Sequence, residues 1–193
     1  RVGLYANTKS IRMKSAAELA ELQANGLGIA YMGVESGDDV TLAAVRKGAN
    51  AQSMIEAGRK LRHAGIKLSI TVLLGLAGPE RSMVHARETG RVISAVDPEY
   101  VGALSLMLIP GTPLHDDYQT GRFVLLSPED MLRELGVMIA ATTMSGGLFH
   151  ANHASNYLPL KLKMPTDKEQ ALELIERARR GGVALKPESM RAL

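Results

Sequence analysis

The sequence predicts an α/β fold in which short parallel strands alternate with helices. Apolar runs recur about 26 to 40 residues apart, which is the length of a strand plus a helix. The runs lack strict alternation, as is typical of parallel strands covered on both faces. They are Val2–Ala6, Gly28–Val34, Leu68–Leu74 and Val101–Ile109. A doubly wound sheet and part of a (β/α) barrel both fit this order.

Helix start and stop signals lie between the apolar runs and are the third observation behind the α/β prediction. Ser15–Glu18 is a capping box, and Gly26 ends the helix that it starts. Asn50 caps the next helix, which ends at Gly65. Proline in a first turn starts a helix over 79–96. These signals complete four strand–helix units.

The pattern changes after the fourth unit, which predicts two regions: residues 1–121 as the partial barrel or sheet and 122–193 as a C-terminal helical extension. Ser127 starts one helix of the extension, and Thr166–Glu169 is a capping box for another. Between them, His150–Tyr157 is a polar segment that we interpret as a loop.

Composition narrows the class of protein. The chain has 193 residues, 46% of them hydrophobic, and no cysteine, so disulfides and thiolate metal sites are excluded within it. The +3 charge is scattered apart from one cluster at a predicted helix end, and we expect no nucleic-acid partner. We see no apolar run of about 18 residues and no leader, and expect a cytoplasmic protein. The chain opens without methionine and we interpret it as a fragment.

Polar or glycine-rich segments follow all four apolar runs. They are Asn7–Lys9, Glu35–Asp38, Leu74–Glu80 and Ile109–Asp117. Each by itself is an ordinary turn sequence. In parallel α/β folds, however, ligands bind at the carboxyl ends of strands, and the four segments together favour one shared ligand site.

Three stretches resemble the second half of the radical S-adenosylmethionine (radical SAM) family: "YMGVESGDDVTLAAVRKG", "ITVLLGLAGPERS" and "LMLIPGTPL". Within that family they resemble Fe–S oxidoreductases of the coproporphyrinogen-oxidase-like and Elongator-like branches. The tail "HANHASNYLPLKLKMPTDKEQALELI" resembles a C-terminal segment of one uncharacterised subgroup. The resemblance implies an incomplete (β/α) TIM-like barrel of the radical SAM type, with strands three to six, followed by the helical extension.

The resemblance also implies the chemistry of the parent protein. In the family, a CxxxCxxC loop after strand one holds a [4Fe–4S] cluster, which binds S-adenosylmethionine and cleaves it reductively to a 5′-deoxyadenosyl radical that abstracts hydrogen. This chain has no cysteine. We therefore expect the fragment to bind neither cofactor appreciably and to be inactive alone, whereas its parent is an oxidoreductase acting on an unknown substrate.

The resemblance assigns cofactor contacts to four polar residues. Glu35 and Ser36 match the position that contacts the ribose or the methionine end of the cofactor. Lys47 matches a basic position for the methionine carboxylate; the alternative is a solvated lysine at a helix end. Thr71 matches a ribose contact, and the alternative is an ordinary β-branched strand residue.

The adenine end is assigned to two turns. Gly75, Gly78 and Glu80 match a GxIxGxxE-like segment whose backbone lies near adenine in the family, although Glu80 also suits the start of a helix. The residues after the sixth strand of the family barrel border adenine through backbone atoms, and here they are Leu108, Ile109 and Pro110.

A second polar cluster contains two histidines three residues apart. Without cysteine or nearby carboxylates it is a poor metal site, and we predict no metal there. A loop that hydrogen-bonds to its own backbone or closes the barrel mouth, and a substrate contact, are the other interpretations. The cluster is His150, Asn152, His153, Ser155 and Asn156.

Other functions stay open. The same strand ends suit a stand-alone α/β module that binds a nucleotide-like ligand without redox chemistry. A phosphate-binding barrel is disfavoured because no loop has the glycine and lysine spacing of a P-loop. We expect a small-molecule substrate and no membrane partner. If strands one and two are missing, Val2–Tyr5 lies at an open edge, and we expect self-association there.

Overall fold

Six strands form one open sheet, in the order in which they occur along the chain. The structure is a computed structural model that describes residues 2–192. The strands are β1 (Val2–Tyr5), β2 (Leu27–Glu35), β3 (Lys67–Leu74), β4 (Tyr100–Ser105), β5 (Leu148–Ala151) and β6 (Leu160–Lys163).

Eight α-helices connect and cover these strands. They are α1 (Thr8–Met13), α2 (Ala16–Ala24), α3 (Asp39–Ala44), α4 (Ala51–His63), α5 (Gly78–Val96), α6 (Pro113–Gln119), α7 (Pro128–Ala141) and α8 (Lys168–Arg179), followed by a 3-10 helix (Glu188–Met190). Within residues 2–192, none of the helices is both long and apolar enough to cross a membrane.

The order of the strands distinguishes a barrel segment from a doubly wound sheet. Strands β1 to β5 are parallel neighbours in sequence order, and β6 pairs antiparallel with β5. Right-handed crossovers in constant order place all the helices on one side, whereas a doubly wound sheet reverses its order. Accordingly α4 packs on α5, α5 on α7 and α7 on α8 in a continuous layer.

The two faces of the sheet differ in burial. Along β3, Ile70 and Val72 are fully buried against the helices, whereas Ser69 and Thr71, which alternate with them, are half-buried. We call the second side the open face. Its residues align across strands, because Tyr31 and Tyr100 both pair with Ser69 in register. Polar and aromatic side chains therefore line the open face and the apolar core lies behind it.

The predicted elements of the first half are largely confirmed. Capping boxes at Ser15 and Asn50 start α2 and α4. The fourth apolar run is shorter as a strand than predicted, because β4 ends at Ser105. The predicted capping box at Thr166–Glu169 is wrong: Asp167 precedes α8 without a side-chain cap and accepts a hydrogen bond from the Lys163 N–H at 2.8 Å instead.

The C-terminal extension contains helices α7 and α8 as predicted, but it also supplies two strands. Residues 148–151 form β5, so the polar loop predicted at His150–Tyr157 is wrong at its start. Phe149 is fully buried behind the sheet, which outweighs the polarity of its neighbours. Because β5 and β6 continue the same sheet, the division at residue 121 stays a prediction.

The two edges of the sheet are unlike. β1 lies at one edge, as predicted, and its side chains are exposed, with Tyr5 90% exposed and in contact with the Tyr31 ring at 5.4 Å. β6 forms the other edge and presents Lys161 and Lys163 to solvent, a composition that discourages pairing with another chain.

Self-association through β1 stays a prediction with a direct test. Sedimentation velocity over a wide concentration range should show a dimer or larger species. Leu4→Lys should reduce it, because an edge lysine opposes strand pairing. The matched control is Leu22→Lys on α2, which also replaces a partly exposed leucine. A wild-type chain that stays monomeric at high concentration contradicts the prediction.

The contact between α5 and α7 should be sensitive to a single methyl group. A Cβ at Gly90 would lie 2.7 Å from the Ala141 Cβ and 2.9 Å from the Met138 carbonyl oxygen. Gly90→Ala should therefore lower the free energy of unfolding by about 1–3 kcal/mol, measured by urea denaturation. Gly146→Ala is the control, because nothing lies within 4 Å of its added Cβ. Equal stability of the two variants would refute close packing at Gly90.

Candidate functional site

Three predicted segments lie at the same edge of the sheet. Glu35 ends β2, Gly75–Gly78 follows β3, and Leu108–Pro110 follows β4. Because β2, β3 and β4 are adjacent and parallel, their carboxyl ends lie next to one another. This edge is where α/β barrels carry their ligands.

An ion pair between Glu35 and Lys47 lies at this edge. Lys47 Nζ is 3.0 Å from Glu35 Oε1, and both side chains are about three-quarters buried. The pair lies over Gly33, where a Cβ would overlap the Glu35 carboxylate and approach Lys47 Nζ to 3.1 Å. Glycine at position 33 therefore gives the two charged groups room over the open face.

Irregular backbone brings both charges to this position. Glu35 adopts a left-handed conformation with φ of 62°, next to a register shift between Gly33 and Glu35. Arg46 is left-handed as well, with φ of 54°, and it turns the chain back towards the sheet before Lys47. Such conformations are costly for residues other than glycine and concentrate at functional sites. The Lys47 side chain is thus held in an ion pair with Glu35 and is not freely solvated.

Ser36 lies on the other side of the strand end. It is fully buried, its Oγ shares a 2.7 Å hydrogen bond with His85 Nδ1, and it accepts the Asp38 N–H at 3.0 Å. Glu35 faces the open side of the sheet, and Ser36 faces α5. This placement buries the Ser36 hydroxyl against α5, and the predicted ligand contact of Ser36 stays a prediction.

Behind Ser36 lies a fully buried polar cluster that contains His85 and Glu134. His85 Nε2 is 3.4 Å from Glu134 Oε1, and both side chains are inaccessible to solvent. Burial lowers the pKa of His85 to about 4 and raises the pKa of Glu134 to about 7. Serine, histidine and carboxylate stand in the order of a hydrolase triad, but no substrate reaches them.

A second buried contact fixes the loop after β2 to helix α5. Arg81 binds the Asp38 carboxylate with two hydrogen bonds of 2.8 and 2.9 Å, and Asp38 also caps α3 through the Thr41 N–H. The hydrogen bonds from Arg81 hold the pKa of Asp38 well below its usual range, despite burial. This clamp holds the segment immediately after Glu35 in place.

Thr71 occupies an accessible position on the open face. Its register partners are Gly33 on β2 and Gly102 on β4. Neither register partner has a Cβ beside Thr71, and the Glu35 carboxylate lies over one of them, Gly33. The position is compatible with the predicted ribose contact, which stays a prediction.

The turn Gly75–Gly78 is covered by the C-terminal half of the chain. Gly75 and Gly78 have φ of 82° and 64°, in the left-handed region that favours glycine. A Cβ on Gly75 would approach the Met131 Cε to 2.9 Å, and one on Gly78 would be 3.5 Å from the Val124 carbonyl oxygen. Only the side of the turn facing away from these residues remains for a ligand.

Two further predicted residues, Glu80 and Pro110, lie on the surface. Glu80 is exposed in the first turn of α5, where its charge suits the helix dipole. Pro110 is exposed beyond the end of β4, two residues before Thr112, which caps α6.

An apolar cavity of about 500 Å³ opens at the same edge. The predicted residues Leu108 and Ile109 line it. Arg46, which precedes Lys47 in the chain, also lines it, as does Leu73, which lies two residues after Thr71 on the open face. Its other lining residues come from the end of α3, the turn after β3, β4 and the segment after it, α6, and the loop after β5: Ala44, Val45, Leu76, Leu104, Ser105, Leu106, Met107, Thr112, Pro113, Leu114, Asp117, His153 and Ser155.

The second polar cluster closes the sheet behind this cavity. Ser155 Oγ accepts the Ser105 N–H at 3.1 Å, and Asn156 accepts the Ser105 hydroxyl at 2.8 Å. His153 lines the cavity and shares a hydrogen bond with Ser155. His150 lies on β5 beside Gly102. Asn152 is exposed directly after that strand, and no group of three or more metal-ligating side chains occurs between residues 2 and 192.

Some residues of this edge were not predicted from the sequence. Glu134 carried a signal, because it interrupts the apolar stripe of α7 formed by Met131, Leu135 and Met138. A charged residue in such a stripe is buried only with partners. The pairing of Asp38 with Arg81 carried none, since the two residues lie 43 positions apart in sequence and meet only in the fold.

Solved structures share this fold. An Elp3 from the archaeon Methanocaldococcus infernus with an N-terminal deletion has a TM-score of 0.62 at 17% identity, over 94% of this chain and 42% of that one. Coproporphyrinogen III oxidase (HemN) from Escherichia coli, a radical SAM enzyme, has a TM-score of 0.56 at 17% identity, over 72% and 31%. These likenesses confirm the predicted fold class, an α/β sheet of the TIM-like barrel kind that does not close.

Relatives known by sequence are uncharacterised. A protein of Methanocaldococcus jannaschii is 32% identical over 106 residues, which is 54% of this chain and 32% of that protein. YtqA of Bacillus subtilis is 25% identical over 115 residues, which is 60% of this chain and 35% of that protein. The matches span about a third of the length of these relatives. No family model matches the chain.

The Asp38–Arg81 clamp predicts how stability depends on pH. The pKa of Asp38 is depressed in the folded state, so its contribution is present above its ordinary pKa of about 4 and is lost as pH falls. The difference in free energy of unfolding between wild type and Asp38→Asn should therefore shrink as pH falls from 7 to 3, measured by urea denaturation. Asp116→Asn, at an exposed site of α6, should show little pH-dependent difference. A constant difference for Asp38→Asn would refute the clamp.

Proposed function

We propose that this chain is part of a radical SAM oxidoreductase whose whole protein reductively cleaves S-adenosylmethionine to a 5′-deoxyadenosyl radical and abstracts hydrogen from a small-molecule substrate. The observation that carries the proposal is the Glu35–Lys47 pair over Gly33, at the edge where the apolar cavity opens. The fold shared with HemN and the order of the motifs support it.

The residues at this edge fit the organic part of S-adenosylmethionine. Its methionine end is a zwitterion, so its carboxylate is matched by the Lys47 ammonium and its own ammonium by the Glu35 carboxylate. The faces of its adenine ring suit the apolar cavity bordered by Leu73 and Leu108. In this arrangement Lys47 and Glu35 orient the methionine end, and Thr71 is within the same open face for the ribose.

The residues do not fit an iron–sulfur cluster. Such clusters are held by cysteine thiolates, and this chain has none. We propose that the cluster ligands belong to parts of the whole protein outside these 193 residues and that the chain alone is inactive. A cytoplasmic location, where thiols stay reduced, suits such a protein.

The alternative is a stand-alone α/β module that binds a nucleotide-like ligand, which the absence of cysteine favours. The two functions differ in one product. Under anaerobic reducing conditions, the whole protein after cluster reconstitution should convert S-adenosylmethionine to 5′-deoxyadenosine, whereas this chain should not. If the whole protein forms no 5′-deoxyadenosine, the module is the better interpretation.

Lys47 should carry much of the remaining affinity of this chain for S-adenosylmethionine. Binding without iron should be weaker than micromolar and therefore best measured by NMR shift titration. Lys47→Gln should weaken it by about tenfold, because the ligand carboxylate loses a charged hydrogen-bond donor.

Lys161→Gln provides the matched control, since Lys161 is an exposed lysine on the far edge of the sheet. Its affinity should equal that of wild type. Equal affinities of wild type and Lys47→Gln would remove Lys47 from the site. Micromolar binding by calorimetry without iron would contradict the expectation that iron ligation supplies most of the affinity.

A further inference from the structure

Helix α7, in the C-terminal half of the chain, contacts the turn after β3 through one buried side chain. Glu134 is inaccessible to solvent, and its Oε1 accepts the Gly75 N–H at 2.6 Å. Its Oε2 accepts the hydroxyl of Ser82 on α5. We propose that Glu134 is a positioning residue that holds the Gly75–Gly78 turn in the conformation that forms one wall of the cavity.

The Gly75 N–H belongs to a peptide unit that is held from two sides. The carbonyl oxygen of the same unit, from Leu74, accepts the Leu106 N–H at 2.9 Å. The plane of this peptide is therefore fixed between the exit of β4 and helix α7. Leu76, one residue beyond Gly75, and Leu106 both line the cavity. A rotation of this peptide plane would move Leu76 relative to Leu106 and so change the shape of the cavity.

A carboxylate buried at this position lowers the stability of the fold unless it accepts hydrogen bonds. The surrounding stripe of α7 is apolar, with Met131, Leu135 and Met138 fully buried. A leucine would fill the same space without the cost of burying a polar group. It would, however, leave the Gly75 N–H without an acceptor, so the hydrogen bond to the turn is what the carboxylate provides.

Titration of Glu134 gives an independent readout. Burial raises its pKa to about 7. The titratable group that faces it from α5 is His85, whose pKa burial lowers to about 4, with Ser36 and Asp38 on the far side of that ring. From α8, Arg179 pairs with Glu129 and Glu176. Near neutral pH, ionisation of Glu134 is therefore the local event that the Gly75 amide reports.

The inference rests on the proposed function, because a nucleoside is the ligand that the turn would meet. The test uses the 193-residue chain, NMR spectra of its amides, and S-adenosylmethionine as the probe. Glu134→Leu removes the acceptor. Glu134→Gln keeps an oxygen for the Gly75 N–H and serves as the rescue. Glu129→Gln, at an exposed site of the same helix, is the matched control.

In Glu134→Leu, hydrogen exchange of the Gly75 amide should accelerate by about tenfold, and affinity for S-adenosylmethionine should fall by a similar factor. Glu134→Gln and Glu129→Gln should match wild type. The Gly75 amide shift of wild type should titrate with a midpoint of about pH 7, whereas in Glu134→Gln it should be flat. If Glu134→Leu does not fold, Glu134→Met replaces it, and the wild-type titration still decides.

Unchanged Gly75 exchange and unchanged affinity in Glu134→Leu would overturn the inference, as would equal losses in Glu134→Leu and Glu134→Gln. If wild type shows no shifts with S-adenosylmethionine, the chain alone does not bind it measurably, as expected without the cluster, and the proposed function is tested by the 5′-deoxyadenosine assay on the whole protein. In that case the exchange data decide alone: acceleration in Glu134→Leu with rescue in Glu134→Gln supports the positioning role, and its absence refutes it.

Discussion

Parallel pairing of β2, β3 and β4 in sequence order is the constraint on which the rest of the molecule depends. It brings three chain exits to one edge, and it forces every crossing helix to the same side. The helices then bury one set of alternating side chains, such as Ile70 and Val72. The opposite set stays accessible. The parallel arrangement therefore explains both the open face and the edge at which the carboxyl ends of β2, β3 and β4 meet.

At the ligand edge, two layers of polar groups have different roles. Glu35 and Lys47 lie on the open face, three-quarters buried, and form an ion pair. Asp38, His85 and Glu134 lie behind the strands and hold the loops that carry the first layer. The side chains of the second layer are buried and do not reach the open face. They act by holding the loops that position Glu35 and Lys47.

The fold was more predictable than the site. Apolar runs and caps predicted β1 to β4 and most helices, because these signals are local. β5 was missed because Phe149 and Ala151 are separated by a polar residue in a polar segment, and only the neighbouring β4 makes them a strand. Ser36 shows the limit within the site: consecutive residues at a strand end point to opposite faces, and the sequence match did not reveal that the Ser36 hydroxyl is buried towards α5. The partners of Glu134 lie more than 50 residues away.

The two edges of the sheet differ in whether they can pair with a further strand. Lysines on β6 and its antiparallel pairing with β5 end the sheet on that side. On the other side β1 ends in bare backbone and an uncovered tyrosine. The exposed β1 edge can pair with a further strand, whereas the lysines of β6 oppose such pairing at the other edge.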